Sequence, residues 1–417
     1  MSQRSNRQLR DEEQLDESLT TSPTKDGEKL SQRLEHFTWA WYTFPMSTGG
    51  LALLLSPKNQ PNTFPGLETI GKIVYIWDLV IFTLITCAIT YRFIRNPALL
   101  RESLSHPSEG LFFATAFLSL ASIIGGINLY GIPSCGPWLI VVYRVLFWMY
   151  FAVTFLVACG HYYLLFSSPA LKIQDMTPAW DLPIFPFMLS GTIAAIGASN
   201  QPPSQAVPMI VAGLTAQGLG MIVSVIMYVM YVHRMIEWGF PGPKGRPAMF
   251  IAVGPPAFTS LALIGMANGF PETTTYFGTN GEATANMLRL LATMVAVFIW
   301  SLAFWFFCLA LLSVLAVAKE LTFHLNWWAF VFPNVGFTIA TIKIGDMFQS
   351  TGIHWVGSAM TICIVATYLF VGVMHVRAVV TGQILSEGKD EDTYIMERDT
   401  KQREQHEVRQ KEQNKGA

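Results

Sequence analysis

More than half of the charge in this chain sits in short segments at its two ends, and the stretch between them could not be covered by water. Residues 1–36 and 382–417 hold most of the Lys, Arg, Asp and Glu, yet charged residues make up only 13% of the 417 in total and hydrophobic ones 52%. A soluble domain carries about 25% charged residues, so the middle of the chain must be solvated by lipid. Taking runs of about 20 apolar residues as membrane spans, ten helices are expected, at roughly 37–55, 69–92, 109–130, 137–163, 180–200, 206–234, 247–267, 284–317, 324–348 and 353–380. Residues 1–36 contain no apolar h-region, so no cleavable signal peptide is expected and the first span directs insertion. The expected organisation is a disordered cytoplasmic tail (1–36), a ten-helix transmembrane domain (37–380) and a charged cytoplasmic tail (381–417). Within the last, the alternating charges of 388–417 are compatible with a helix.

Topology follows from the basic residues. With the N-terminus inside, 22 of the 27 Lys and Arg fall in inner segments, while the outer loops hold one, Lys58. That asymmetry places both termini in the cytoplasm. The net charge of −1 suggests neither nucleic acid nor an acidic polymer as partner. Five scattered cysteines, with no Cys-x-x-Cys and no Cys/His spacing of a zinc site, suggest neither a disulfide framework nor a metal. No cofactor is expected.

An internal repeat orders the spans. Phe44-Pro45-Met46-Ser47-Thr48-Gly49-Gly50 in the first is echoed by Phe185-Pro186-Phe187-Met188-Leu189-Ser190-Gly191 in the fifth. Gly254-Pro255-Pro256-Ala257-Phe258-Thr259-Ser260 in the seventh and Phe332-Pro333-Asn334-Val335-Gly336 in the ninth complete the series. Pro45, Pro186, Pro256 and Pro333 are separated by 141, 70 and 77 residues, the first gap being about twice the others. The missing copy falls in the third span, which offers Ser119, Ser122, Gly125 and Gly126 without a proline. The chain therefore reads as an all-α transmembrane protein of five quasi-repeated helical hairpins. A proline within a helix removes a backbone donor and kinks it, and in lipid the freed carbonyls are tolerated only where protein or a water-lined cavity satisfies them. The odd-numbered helices should thus surround a central pore, with the even-numbered ones outside.

Beside the kinks lie neutral donors: Ser47, Thr48, Ser119, Ser122, Ser190, Thr192, Thr259, Ser260 and Asn334. A small anion crossing a bilayer needs donors that replace its water without holding it tightly; the alternative is that these hydroxyls bond back to their own helices. Lys72, Arg144, Arg289 and Lys343 lie near the outer ends of spans. They could form a positive vestibule, snorkel to the interface, or pair with Glu68, Asp78 and Asp346. Arg246, before Pro247 at the inner mouth, could meet a carboxylate or merely follow the charge rule. His161, His233, His324, His354 and His375 read as interfacial, and Trp39, Trp41, Trp327 and Trp328 as an aromatic belt. An aromatic ring before a pore-facing kink could also plug the path, as hydrophobic constrictions do.

Several runs carry a family resemblance: Phe37–Trp41 through Gly49-Gly50, Ile70–Tyr75, Pro178–Trp180 through Pro186, Arg246 through Leu263, and Trp328 through Gly336. Over about residues 31–380 the chain resembles the fungal malic acid/C4-dicarboxylate transporters. These belong to the tellurite-resistance/dicarboxylate transporter family, which also includes plant slow anion channels. The resemblance implies a gating phenylalanine at Phe332, homo-oligomers (trimer or dimer), and small organic anions such as malate, succinate and fumarate as substrates. A plasma-membrane carrier, with protons as a further partner, is the resulting expectation; a passive anion channel or sulfite exporter of the same fold is the alternative. The ten spans argue against a seven-span receptor. No span holds paired catalytic acids or a Ser/His set, so an enzyme is not expected.

Overall fold

The computed structural model describes residues 34–106, 109–167, 172–274, 276 and 280–385. Both expected tails fall almost wholly outside these residues, as does the helix considered for 388–417. Among the described residues there are helices and no strands. The ten expected spans are found, each with an α-helical part: α1 (Thr43–Leu54), α2 (Leu67–Arg95), α3 (Glu109–Gly126), α4 (Trp138–Ser167), α5 (Phe185–Gly197), α6 (Pro203–Trp238), α7 (Gly254–Asn268), α8 (Gly281–Ala316), α9 (Phe332–Phe348) and α10 (Thr351–Val380). Eight of the ten, with their flanking turns, are long and apolar enough to cross a membrane. The first and fifth are shorter because they are broken.

The breaks differ from simple kinks. Each proline-bearing inner span enters as a 3₁₀ segment and continues as an α-helix. The 3₁₀ segments are Trp39–Tyr42, Pro178–Asp181, Pro247–Val253 and Leu325–Phe330. Pro45, Pro186, Pro256 and Pro333 all sit in the first turn of the α part, where proline's missing N–H costs least. The proline-free third span is regular through Gly126 and instead ends in a π-helical turn, Ile127–Gly131. Runs of 3₁₀ helix longer than 3–4 residues are uncommon, and six- and seven-residue runs persist here because neighbours supply the partners they lack.

The inner elements form a closed ring, with α1 against α3, α3 against α5, α5 against α7, α7 against α9, and α9 back against α1. Each outer helix lies over the seam between two consecutive inner ones. Thus α2 covers α1 and α3, α4 covers α3 and α5, α6 covers α5 and α7, α8 covers α7 and α9, and α10 covers α9 and α1. Burial matches this order: in the most apolar window of α2, α4, α8 and α10 22% of residues are buried, against 89% for the seventh and ninth spans. The outer faces present Ile73, Trp77, Leu156, Ile226, Phe298 and Val380, side chains that only lipid or another protein can cover.

Two polar devices lock the layers together. Tyrosines of outer helices reach inward to backbone carbonyls: Tyr75 Oη to Ile123 O at 3.0 Å, Tyr143 Oη to Ile193 O at 2.6 Å and Tyr150 Oη to Phe117 O at 3.1 Å. Glycines make the room. A Cβ on Gly126 would come within 2.2 Å of the Tyr75 ring, and one on Gly197 within 2.0 Å of that of Tyr143. The second device is a fully buried ion pair, Arg92 with Glu109 at 2.5 Å, in which Arg92 also donates to Phe37 O at 2.9 Å. It clamps the end of α2, the start of α3 and the entry into the first span.

Two expectations are corrected. His161 and His375 are buried, not interfacial, and Trp39, Trp41, Trp327 and Trp328 are buried as well. The tryptophans pack the 3₁₀ segments instead of forming a belt: Trp328 stacks on Phe44 and donates to His375 Nδ1 at 3.2 Å. The pairing of Lys72 with Glu68 is observed at 2.9 Å and that of Lys343 with Asp346 at 3.5 Å, whereas Asp78 has no cationic partner among the described residues.

Removing one partner of a buried ion pair costs about 3–5 kcal/mol, while replacing both with apolar groups can be neutral. Glu109→Gln should therefore lower the melting temperature in detergent sharply, and the double change Arg92→Met, Glu109→Leu should recover much of the loss. Equal losses in both proteins would show that the pair does not act as a unit.

Candidate functional site

All five inner elements, and none of the outer helices, line a cavity of ≈ 250 Å³ on the ring axis. This is close to the lower end of small-molecule pockets, about 300–1,000 Å³, and suits a small solute with a few waters. Its mouth lies at the end of the bundle opposite the 3₁₀ segments, where Lys58, Lys343 and Asp346 stand. Its walls are mostly apolar, with Ser122 on α3 and Thr192 on α5 as hydroxyl groups partway down. The Thr192 hydroxyl is buried and without a hydrogen-bond partner among the described residues.

The floor is aromatic. Phe332, at the first position of α9, borders this cavity and also a void of ≈ 20 Å³ on the other side, bounded by Met46, Thr115, Phe185 and Asn326. Its ring is only 2% exposed. It stacks on Phe258 with centroids 5.0 Å apart and meets Phe185 edge-on at 6.3 Å; Phe185 and Phe258 are 5.7 Å apart. Each ring lies where a neighbouring inner element carries glycine. A Cβ on Gly50 would be 2.9 Å from Phe332, one on Gly336 2.6 Å from Phe258, and one on Gly254 2.7 Å from Phe185. Phe185 and Phe258 were not singled out from the sequence. The signal was present, since Phe185-Pro186 repeats Phe332-Pro333 and Phe258 follows Pro256 by two residues.

Of the expected polar residues, Ser122 and Thr192 reach the cavity. The others are largely committed to backbone: Ser47 donates to Trp328 O at 3.2 Å, Thr48 to Phe44 O at 2.9 Å, Ser119 to Tyr42 O at 3.0 Å, and Ser260 to Ala296 O at 3.0 Å. Thr259 accepts from Gln217 Nε2 at 2.8 Å, and Asn334 Nδ2 donates to Phe330 O at 3.0 Å. Ser190 is buried with its hydroxyl unpartnered among the described residues, away from the cavity wall. Several of these bonds have one purpose. Tyr42 O and Phe330 O are the carbonyls that a 3₁₀ bond from Pro45 and Pro333 would have satisfied, and Trp180 O, left by Pro183, is taken by Tyr162 Oη at 3.0 Å.

Of the five expected cations, Lys343 lines the cavity. Its ammonium donates to Lys58 O at 3.0 Å and faces Asp346, whose other oxygen lies 3.0 Å from His354 Nε2. Lys72 is turned to its own Glu68, and Arg289 pairs with Glu272 at 2.8 Å. Arg144 is half-buried on α4 and makes no ion pair among the described residues. Arg246 spends its guanidinium on Pro241 O at 3.0 Å and Ser313 O at 2.7 Å. No cluster of three metal-ligating side chains is present among the described residues.

Residues 36–376 match the SLAC1 family, described as voltage-dependent anion channels. The chain belongs to that family. It is similar to the malic acid transport protein of Schizosaccharomyces pombe, with 39% identity over 368 residues, 88% of this chain and 83% of the relative. A putative malic acid transport protein of the same yeast is 37% identical over 87% and 84% of the two chains. More distant is a sulfite efflux pump of Trichophyton rubrum, 24% identical over 83% of this chain and 92% of the relative. Membership in the SLAC1 family agrees with a multi-pass helical membrane protein.

Forcing a methyl into a packed core costs about 1–3 kcal/mol. Gly336→Ala should therefore shift Phe258 and lower the melting temperature. Gly372→Ala on α10, where nothing lies within 4 Å of the new atom, should leave it unchanged or higher. Equal behaviour of the two would remove the glycine seat from the account of the floor.

Proposed function

We propose that this protein carries malate and related C4-dicarboxylates, succinate and fumarate among them, across the plasma membrane, with both termini cytoplasmic and with proton coupling. The observation that carries the reading is the axial cavity itself, with a lysine at its mouth, neutral hydroxyls on its wall and a phenylalanine across its floor. The SLAC1 relatives named for malic acid transport support the choice of substrate.

The geometry supports the following steps. Lys343, partly neutralised by Asp346, draws a carboxylate to the mouth and exchanges one carboxylate partner for another. Phe332 lies eleven residues earlier on α9, about 16 Å along the axis at 1.5 Å per residue. Between them the solute meets no fixed cation among the described residues, so it is not trapped; Thr192 and Ser122 replace part of its water. Taking two ionised carboxylates into this space is expensive, and protonating one reduces the cost. Passage then requires the Phe332 ring to leave its stack on Phe258. The homo-oligomer, trimer or dimer, belongs to the same reading and would form through the apolar outer ring.

Uptake of labelled malate by proteoliposomes at two pH differences tests this directly. Malate should accumulate, more strongly with an inward proton gradient, and Phe332→Ala should leak malate faster without a gradient. Lys343→Gln should raise the KM about fivefold, the equivalent of an exposed ion contact of about 1 kcal/mol. Equilibration without accumulation would favour a passive anion channel, and transport of sulfite in place of malate would favour an exporter.

A further inference from the structure

Among the described residues three carboxylates are buried within the helical body, and two have evident partners. Glu109 is paired with Arg92, and Asp181 accepts hydrogen bonds from Ser224 at 2.8 and 2.9 Å and from Tyr228 at 3.2 Å. The third, Asp78 on α2, is 0% exposed, and neither of its oxygens has a hydrogen-bond partner or an ion pair among the described residues. It approaches the Gly49 backbone without hydrogen-bonding geometry. An isolated charge at such a place is expensive, so the ionised form calls for a neutralising partner.

Its position says what. A methyl on Gly49 would lie 2.7 Å from Asp78 Oδ2 and 2.6 Å from Ser122 Cβ, so the carboxyl and Ser122 share the space that glycine leaves empty. Ser122 lines the cavity, and Gly50, the next residue, seats the Phe332 ring. Asp78 is therefore one side chain behind the cavity wall, beside the aromatic floor. The titratable groups facing it are the phenols of Tyr75, one turn earlier on α2, and Tyr368 on α10; α1 and α3 offer Thr48 and Ser122, which carry no charge. All four are already engaged, Tyr75 with Ile123 O, Tyr368 with Thr48, and Ser122 with Leu118 O at 3.4 Å. Hard metal cations take six or more oxygen ligands, which this surround does not supply.

We infer that Asp78 binds the proton that moves with the anion, an inference resting on the coupled-carrier reading above. A proton passes from cavity water to a carboxylate oxygen of Asp78 when the anion is present, and returns to water once the anion has left. No other bond is made or broken. Ionised Asp78 repels an anion in the cavity and protonated Asp78 does not, so each ligand raises the affinity for the other by the same factor. Gly49 keeps the route between carboxyl and Ser122 open.

The test measures malate uptake and internal acidification together in proteoliposomes containing a pH-sensitive dye, for wild type, Asp78→Asn and Asp181→Asn. Wild type and Asp181→Asn should take up protons with malate. Asp78→Asn, isosteric and permanently uncharged, should still exchange internal for external malate while its proton uptake per malate falls at least tenfold. Asp78→Glu should keep coupling with a displaced pH midpoint, which holds the test open if the asparagine protein folds poorly. Proton uptake by Asp78→Asn equal to wild type would overturn the inference, as would wild-type uptake that follows sodium and not protons. If the wild type moves sulfite and not malate, the substrate reading fails, and the same comparison with sulfite still judges Asp78.

Discussion

In hydrocarbon a backbone amide or carbonyl has no water to turn to, and every irregularity in this fold has to be answered from within the protein. The four 3₁₀ entries could not face lipid. They are tolerated because a ring of five regular helices stands outside them, and because hydroxyls and amides of neighbouring elements occupy the carbonyls that the prolines leave vacant: Ser119 on Tyr42, Asn334 on Phe330 and Tyr162 on Trp180. The two-layer architecture is a consequence of that requirement. A ring of unbroken helices would not need the outer layer in the same way.

This use of hydroxyls bears on how anion selectivity can arise. Most polar atoms of the inner ring are consumed in holding the ring together, which leaves the axial space sparsely equipped. Ser122, Thr192 and Ser199 on the wall and Asn59, Asn268, Lys58 and Lys343 elsewhere in the lining are the donors, and an anion that meets no cation near the floor among the described residues is weakly held there. Weak holding is compatible with fast passage, and it places the discrimination between solutes in size and desolvation more than in matched hydrogen bonds.

The fold was legible in the sequence to an unusual degree, because lipid imposes a strong length and polarity rule. The ten spans, the inner and outer roles, and the Phe-Pro repeat could all be read from residues. What the repeat could not convey was how each proline would be accommodated: a kink within an α-helix and a change from 3₁₀ to α both place Pro45 or Pro333 at the same point in the chain. The site was less legible. Ser47, Ser119 and Ser260 carry the same residue type and the same repeat position whether they face a cavity or a carbonyl, and only the packing angle decides. Lys343 was recognisable as a cation near an outer end, but so were Lys72 and Arg289, and nothing in one-dimensional order says which of three helices points its residue at the axis. The aromatic floor depends on three residues from three repeats, and only one of them stands out alone.

The seating of the rings has a direction. Phe185 of α5 rests on the glycine of α7, Phe258 of α7 rests on that of α9, and Phe332 of α9 rests on that of α1. The rings therefore mesh like successive teeth of a gear train, each engaging the next spoke in one sense of rotation. No ring can swing without disturbing the one behind it. The position of the floor is thus a shared coordinate of four helices, so a mutation that enlarges a glycine on one helix is felt as a change in the freedom of an aromatic ring on another. Variation among relatives in conductance or rate could then be written into these small residues, with every phenylalanine left in place.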